Sequence, residues 1–367
     1  MTQKKIIDKQ VACAMFATNT PFRWIEHNEV KKMFAMLRPG YIPPSRVTLA
    51  ESLLDEVYQE EKNDCNVFLE GKIVSLSIDG WSNVHNEPII CSTITTGNGS
   101  VYLDRTIDTS GHPHNSNYLT DLATDLIEKC EMESKCKVCS IVTDNAANMN
   151  KMRKMVLERT NKNILAYGCS AHILNLLAKD FSNLDLKDQV VEVVKYFRNN
   201  QYASFHYKSA GGKTLILPKS VRWNSLCDCF ETYIDEWPNL LKICEENRTF
   251  IDPNIGKIVA DINLKRLVEG QLSILKPIAI AVDEIQKNNC SIAKAVEIWK
   301  NLQDTLKSKK IENKNMDIFN KRYKMALQPC HFLAYLISPT LTKFNLSPEE
   351  KKKHLILSRK CMVIQIS

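Results

Sequence analysis

The chain has 367 residues, 44% apolar and 25% charged, the proportions of an ordinary globular protein long enough for two or three domains. A formal net charge of +7 tolerates an anionic partner but excludes a histone-like polybasic protein. Thirteen irregularly spaced cysteines point to reduced intracellular thiols rather than a disulfide framework, and neither a leader-like N-terminus nor a run of roughly 18 apolar residues is present.

Residues 1–70 read as a helical arm. EHNEVKKMFAML (26–37) has apolar residues at helical spacing, and RPGYIPP (38–44) breaks it, because its prolines remove donors and fix φ. Thr48 and Glu51 fit a capping box opening a helix over 49–62. From Lys72 the texture changes. Strands are predicted over 73–79, with Gly80 as a sharp turn, then over 88–96 and 101–109, with Gly97-Asn98-Gly99 as a hairpin turn. Helices over 116–129, 146–160 and 171–181 then alternate with strands over 137–143 and 164–167.

A three-strand meander followed by alternating helix and strand implies an α/β fold with a mixed sheet over 71–183. Residues 184–346 are helical in texture, interrupted by a strand-like stretch over 213–218, and 347–367 form a short tail. Lysine-rich runs at 307–314 and 351–353 read as solvated helix faces.

Two stretches carry the chemistry: SLSIDGWS (75–82) and VCSIVTDNAAN (138–148). In each, a buried-type strand ends on one aspartate, Asp79 and Asp144. A buried carboxylate must be hydrogen-bonded, ion-paired or bound to a cation. Carboxylates from the ends of adjacent strands can hold hard divalent ions and so activate a water or hydroxyl for phosphodiester cleavage. The plain alternative for Asp144 is a helix cap, whereas Asp79 precedes no helix. Cys169 and His172 have the spacing of half a zinc site; Cys136 and Cys139 could supply the rest only poorly, because their side chains leave opposite faces of a strand. The expectation is that Cys169 is a packed thiol and that His172 lies near the acids. Arg222-Trp223 reads, taken alone, as a core tryptophan beside a surface arginine.

In order, SIDGWS, VTDNAANM, GCSAHILNLLAKD and VRWNS resemble the hAT-superfamily transposases, specifically the uncharacterised domain typical of hAT-derived proteins, over nearly the whole chain. The resemblance implies a ribonuclease-H-like core with a large helical insertion, Mg²⁺- or Mn²⁺-dependent DNA strand cleavage, a DNA partner, homo-oligomerisation and nuclear residence. It assigns Asp79 and Asp144 as the first two metal-binding catalytic acids, and Arg222 and Trp223 as DNA contacts, the indole handling a base and the guanidinium a phosphate. The family's third acid follows the insertion in a Ser-x-x-x-Ser-Glu-Arg-x-Phe-Ser context. The final SRKCMVIQIS holds nothing similar, and Glu349 and Glu350 stand in a different context. The expectation is therefore a C-terminally truncated, transposase-derived chain that is not active alone. The alternatives are a non-enzymatic DNA- or protein-binding module, a decayed gene product, or an exonuclease drawing further acids from Asp104 and Asp108.

Overall fold

The structure, a computed structural model, describes residues 2–160, 163–219, 224–287, 290–339, 341 and 346–351. The chain divides into two compact units, Met1–Val74 with Asp125–Val138, and Ser75–Thr124 with Cys139–Ser367.

In the first unit, α1 (Gln3–Ala17), a 3₁₀ turn at Phe22–Glu26, and α2 (Asn28–Leu37) precede α3 (Arg46–Thr48). This last helix runs through one wide π turn, Leu49–Leu53, into α4 (Leu54–Leu69). Ala12, Met15, Ile25, Val30, Leu49 and Leu53 form the buried core. The capping expectation is corrected here. Ser45, not Thr48, caps the helix, its hydroxyl accepting from the Thr48 amide at 3.1 Å. Pro43 and Pro44 favour extended backbone up to Ser45, so the chain first turns helical at Arg46.

The second unit carries most of a five-stranded sheet. Its strands are β1 (Ile73–Ser82), β2 (Pro88–Thr96), β3 (Val101–Asp108), β4 (Lys137–Thr143) and β5 (Leu165–Gly168), in the order β3-β2-β1-β4-β5. β2 and β3 pair antiparallel, and β4 and β5 parallel, Thr143 standing opposite Gly168. The sheet is mixed, as the order of sequence signals predicts. Alternation sets its faces: Val74, Leu76 and Ile78 of β1 are buried, as are Ile90, Ser92 and Ile94 of β2. The turn after β2 closes with the Thr96 amide donating to Ser100 O at 3.0 Å, and Gly99 takes φ +87°. Helices α5 (Ser116–Ser134), α6 (Ala147–Thr160) and α7 (Ser170–Phe181) follow β3, β4 and β5.

Beyond α7 come α8 (Leu184–Asn199), α9 (Gln201–Ser209), α10 (Asn224–Glu246), α11 (Pro253–Ala260), α12 (Ile262–Ile285), α13 (Ile292–Ser308), α14 (Asn313–Ala326) and α15 (Pro329–Ile337). The apolar face of α7 shares one core with these helices, including Phe197, Phe230, Tyr233, Trp299, Phe319 and Phe332. Residues 213–218 carry no strand. Instead Leu215 is buried, its carbonyl accepting from Arg198 at 3.0 Å, while the Ile216 amide donates to Thr232 Oγ1 at 3.3 Å. Side-chain partners there replace the ladder that a strand needs. Trp299 Nε1 donates to Ser170 Oγ at 2.8 Å, which fixes the start of α7, one residue beyond Cys169.

Candidate metal centre and nucleic-acid interface

β1 does not stop at Asp79. It runs on through Gly80, Trp81 and Ser82, so Gly80 is an in-strand residue and not the sharp turn expected. A Cβ there would meet Ile89 O and Ile90 Cγ1 at 3.6 Å, ordinary contact. Asp79 is exposed, and its Oδ1 accepts from the Gly80 amide at 2.9 Å. Water and one amide therefore answer the desolvation cost that the sequence raises.

Just after the neighbouring strand β4, Asp144 Oδ1 accepts from the Ala146 amide at 2.9 Å, closing a turn just ahead of α6. The helix-cap reading of Asp144 is thus partly met, by a turn that leaves its second oxygen uncommitted. Among the described residues, Oδ2 of Asp79 and Oδ2 of Asp144 make neither a hydrogen bond nor an ion pair. Both carboxylates act on the same thiol: burial raises the pKa of Cys169, and the charges of Asp79 and Asp144 raise it further, against the helix-start amides of His172 and Ala171. The two acids therefore share the neighbourhood of Cys169, and that thiol is the reverse of an activated nucleophile.

The loop carrying Asp144 is held from three directions. Asn145 Nδ2 donates to Cys169 O at 2.8 Å, and Asn148 Nδ2 donates to His114 O at 2.9 Å. Arg153, buried on α6, donates to Thr143 Oγ1, to the Asp144 carbonyl and to Asn150 Oδ1 (2.6 Å). Burial lowers the Arg153 pKa while the Asp144 charge opposes that shift, and the five-donor guanidinium remains the cation that can satisfy so many acceptors at once. Arg153 escapes sequence reading because a charged residue within MRKMV looks like a solvated helix position.

A cleft of about 230 Å³ opens beside this loop, lined by Trp81, Ser82, Pro88, His114, Asp144 and Asn148 among others. Trp81 is 48% exposed there. His114 Nε2 lies 2.8 Å from the Thr109 hydroxyl, which also lies 3.0 Å from the Pro88 carbonyl; the Thr109 amide donates to that carbonyl as well, so the hydroxyl proton can serve either acceptor and the tautomer of His114 decides the direction of the contact. The ring stacks on Tyr118, whose other imidazole partner is His112. Trp81 lies inside the SIDGWS stretch and His114 inside HPHNSN, yet nothing in the spacing shows that the two meet one cleft.

Of the remaining site expectations, His172 sits half-buried in the first turn of α7, and its ring makes no hydrogen bond or ion pair among the described residues. Arg222 and Trp223 lie outside the described residues. Cys136 lies 3.7 Å from Cys130, sulfur to sulfur. No group of three or more His, Cys, Asp or Glu among the described residues is placed to hold a metal, so neither a zinc site nor a third acid beside Asp79 and Asp144 is found there. Glu350 bonds to Tyr323 Oη at 2.7 Å and Lys300 Nζ at 3.2 Å. Of the acids suggested for an exonuclease, Asp104, displaced at the β2–β3 bulge, is held by Ser92 Oγ (2.5 Å) and Arg105, while Asp108 is exposed and accepts from the Ser110 amide (2.8 Å).

Comparison with known proteins bears on this arrangement. Residues 44–197 match the model of a family described as a domain of unknown function, DUF659. The chain is 30% identical over 190 residues to the putative AC transposase and to the putative AC9 transposase of Zea mays. Each match spans 47% of this chain and under a quarter of the relative, 23% and 22%. These similarities, each over less than half of the chain, support a transposase-like, transposon-derived chain related to the hAT-family transposases.

Proposed function

We propose that the chain is a DNA-engaging, transposase-derived protein with a ribonuclease-H-like core, in which Asp79 and Asp144 bind a divalent cation beside a nucleic-acid cleft. The observation that carries this reading is the placement of Asp79 on β1 and of Asp144 just after the neighbouring strand β4, each with one carboxylate oxygen that makes no hydrogen bond or ion pair among the described residues. The strand order β3-β2-β1-β4-β5 supports the core assignment. The donors fit Mg²⁺ or Mn²⁺, which favour oxygen ligands and complete their shells with water. Such an ion, when bound, would polarise a phosphodiester and its attacking water.

The chain's own residues supply the rest. Arg153 and Asn145 hold the Asp144 loop still, Trp81 offers a stacking surface to an unpaired base, and His114 lines the same cleft. In this reading the chain binds DNA and a divalent cation through these residues. A nuclear location follows from the DNA partner.

Fluorescence anisotropy with a labelled DNA fragment tests the reading. Affinity should fall steeply with salt, rise with Mn²⁺ in the native chain, and lose the Mn²⁺ increment in Asp79→Asn. Binding that ignores salt, or a Mn²⁺ response that survives Asp79→Asn, would sink it.

A further inference from the structure

A second cavity, of about 400 Å³, lies in the helical body, far along the chain from the acidic loop. Its wall is apolar, with Leu184, Leu226 and Leu275, and Lys179, Lys187 and Lys219 also line it. No carboxylate lines it, and none of the three lysines is ion-paired among the described residues. Ser225 Oγ accepts from the Lys219 amide at 2.8 Å and donates to the Lys219 carbonyl at 3.2 Å, which fixes the backbone that carries this lysine.

We propose that this cavity binds a nucleoside phosphate, the base against the apolar wall and the phosphates on the lysines. The volume falls within the range of small-molecule sites, about 300–1,000 Å³. A carboxylate ligand would need one cation, whereas three unpaired ammonium groups match a head bearing two or more negative charges. The acids nearby set the orientation. Asp228, Glu231 and Asp283 lie near Cys227, where Asn224 donates to Asp283 at 2.5 Å and Lys276 pairs with Glu231. A phosphate is repelled from that side, so the head lies toward Lys179 and Lys187 and the base toward Leu226 and Leu275. The nucleotide could be free or part of a DNA strand; the recognising chemistry is the same.

Calorimetric titration of the full chain with ATP, adenosine, inorganic phosphate and a single-stranded dA tetranucleotide tests the proposal. ATP or the tetranucleotide should bind, with adenosine and phosphate much weaker. Lys187→Glu should weaken binding by about tenfold or more, the scale of one lost charged contact. Ala279→Phe, which narrows the cavity without touching charge, should weaken it as well. ATP binding without tetranucleotide binding marks a free nucleotide; the reverse marks a strand contact; either supports the site. No binding of either, or binding that both variants leave intact, overturns it. Binding should also persist in Asp144→Asn, so failure here and failure at the acidic pair are separable.

Discussion

Asn145 occupies the space where a side chain on Gly168 would begin: a Cβ there would lie 1.8 Å from Asn145 Oδ1 and 2.6 Å from its Cγ. Gly168 ends β5 opposite Thr143, and Asn145 follows Asp144, so the pair interlocks two adjacent strand ends at the candidate site.

Gly168→Ala should therefore be costly. Asn145 cannot swing clear without breaking its bond to Cys169 O, and overpacking of this kind costs about 1–3 kcal/mol. Urea unfolding should show that loss, while Gly80→Ala, which meets only 3.6 Å contacts, should be near neutral. Equal stabilities would contradict the interlock.

Arg153→Lys should destabilise the chain and weaken metal binding together. One ammonium cannot reach Thr143, the Asp144 carbonyl and Asn150 at once, and each buried acceptor left unpaired costs about 1–3 kcal/mol. A thermal melt identical to that of the native chain would count against this role.

The strands and their succession along the chain are legible in the sequence, and the reasons are physical. Val74, Leu76 and Ile78 alternate cleanly with serines, and Gly97-Asn98-Gly99 admits few conformations besides a turn. The errors came where two local signals compete or where pairing decides. Ser45 and Thr48 are both good caps, and only the prolines before Ser45 separate them. Gly80 looks like a terminator, but Trp81 and Ser82 suit a strand and prolong it. Residues 213–218 have strand composition but form no strand ladder among the described residues. Within the site, Asp79 and Asp144 could be singled out because each ends an apolar run, whereas Arg153, Trp81 and His114 matter only through contacts distant in sequence.

The Thr109–His114 contact should bias the His114 tautomer, whichever way its proton lies. Long-range ¹H–¹⁵N correlation spectra, assigned with His114→Gln, should show one neutral tautomer dominant, and Thr109→Val should relax that bias. A tautomer ratio that Thr109→Val leaves unchanged would contradict the contact.

Acid should weaken the fold through His331. Burial holds its pKa down, from 6.5 to about 4, against the Tyr167 ring edge. Between those values the unfolded chain carries the proton and the folded chain does not, so stability rises with pH across about 4 to 6.5 and is lost on acidification. The full effect is about 3 kcal/mol at 1.36 kcal/mol per unit. Urea midpoints of native and His331→Gln chains should converge as pH falls through this window; parallel curves would refute it.

The central claim is that Asp79 and Asp144 form one cation site. The direct test is Mn²⁺ titration of the full chain, read by electron paramagnetic resonance of the free ion, beside Asp79→Asn and Asp144→Asn. The account predicts one site in the native chain, lost in both variants while their folding is preserved. Native-like Mn²⁺ uptake in either variant, or no uptake by the native chain, would contradict it.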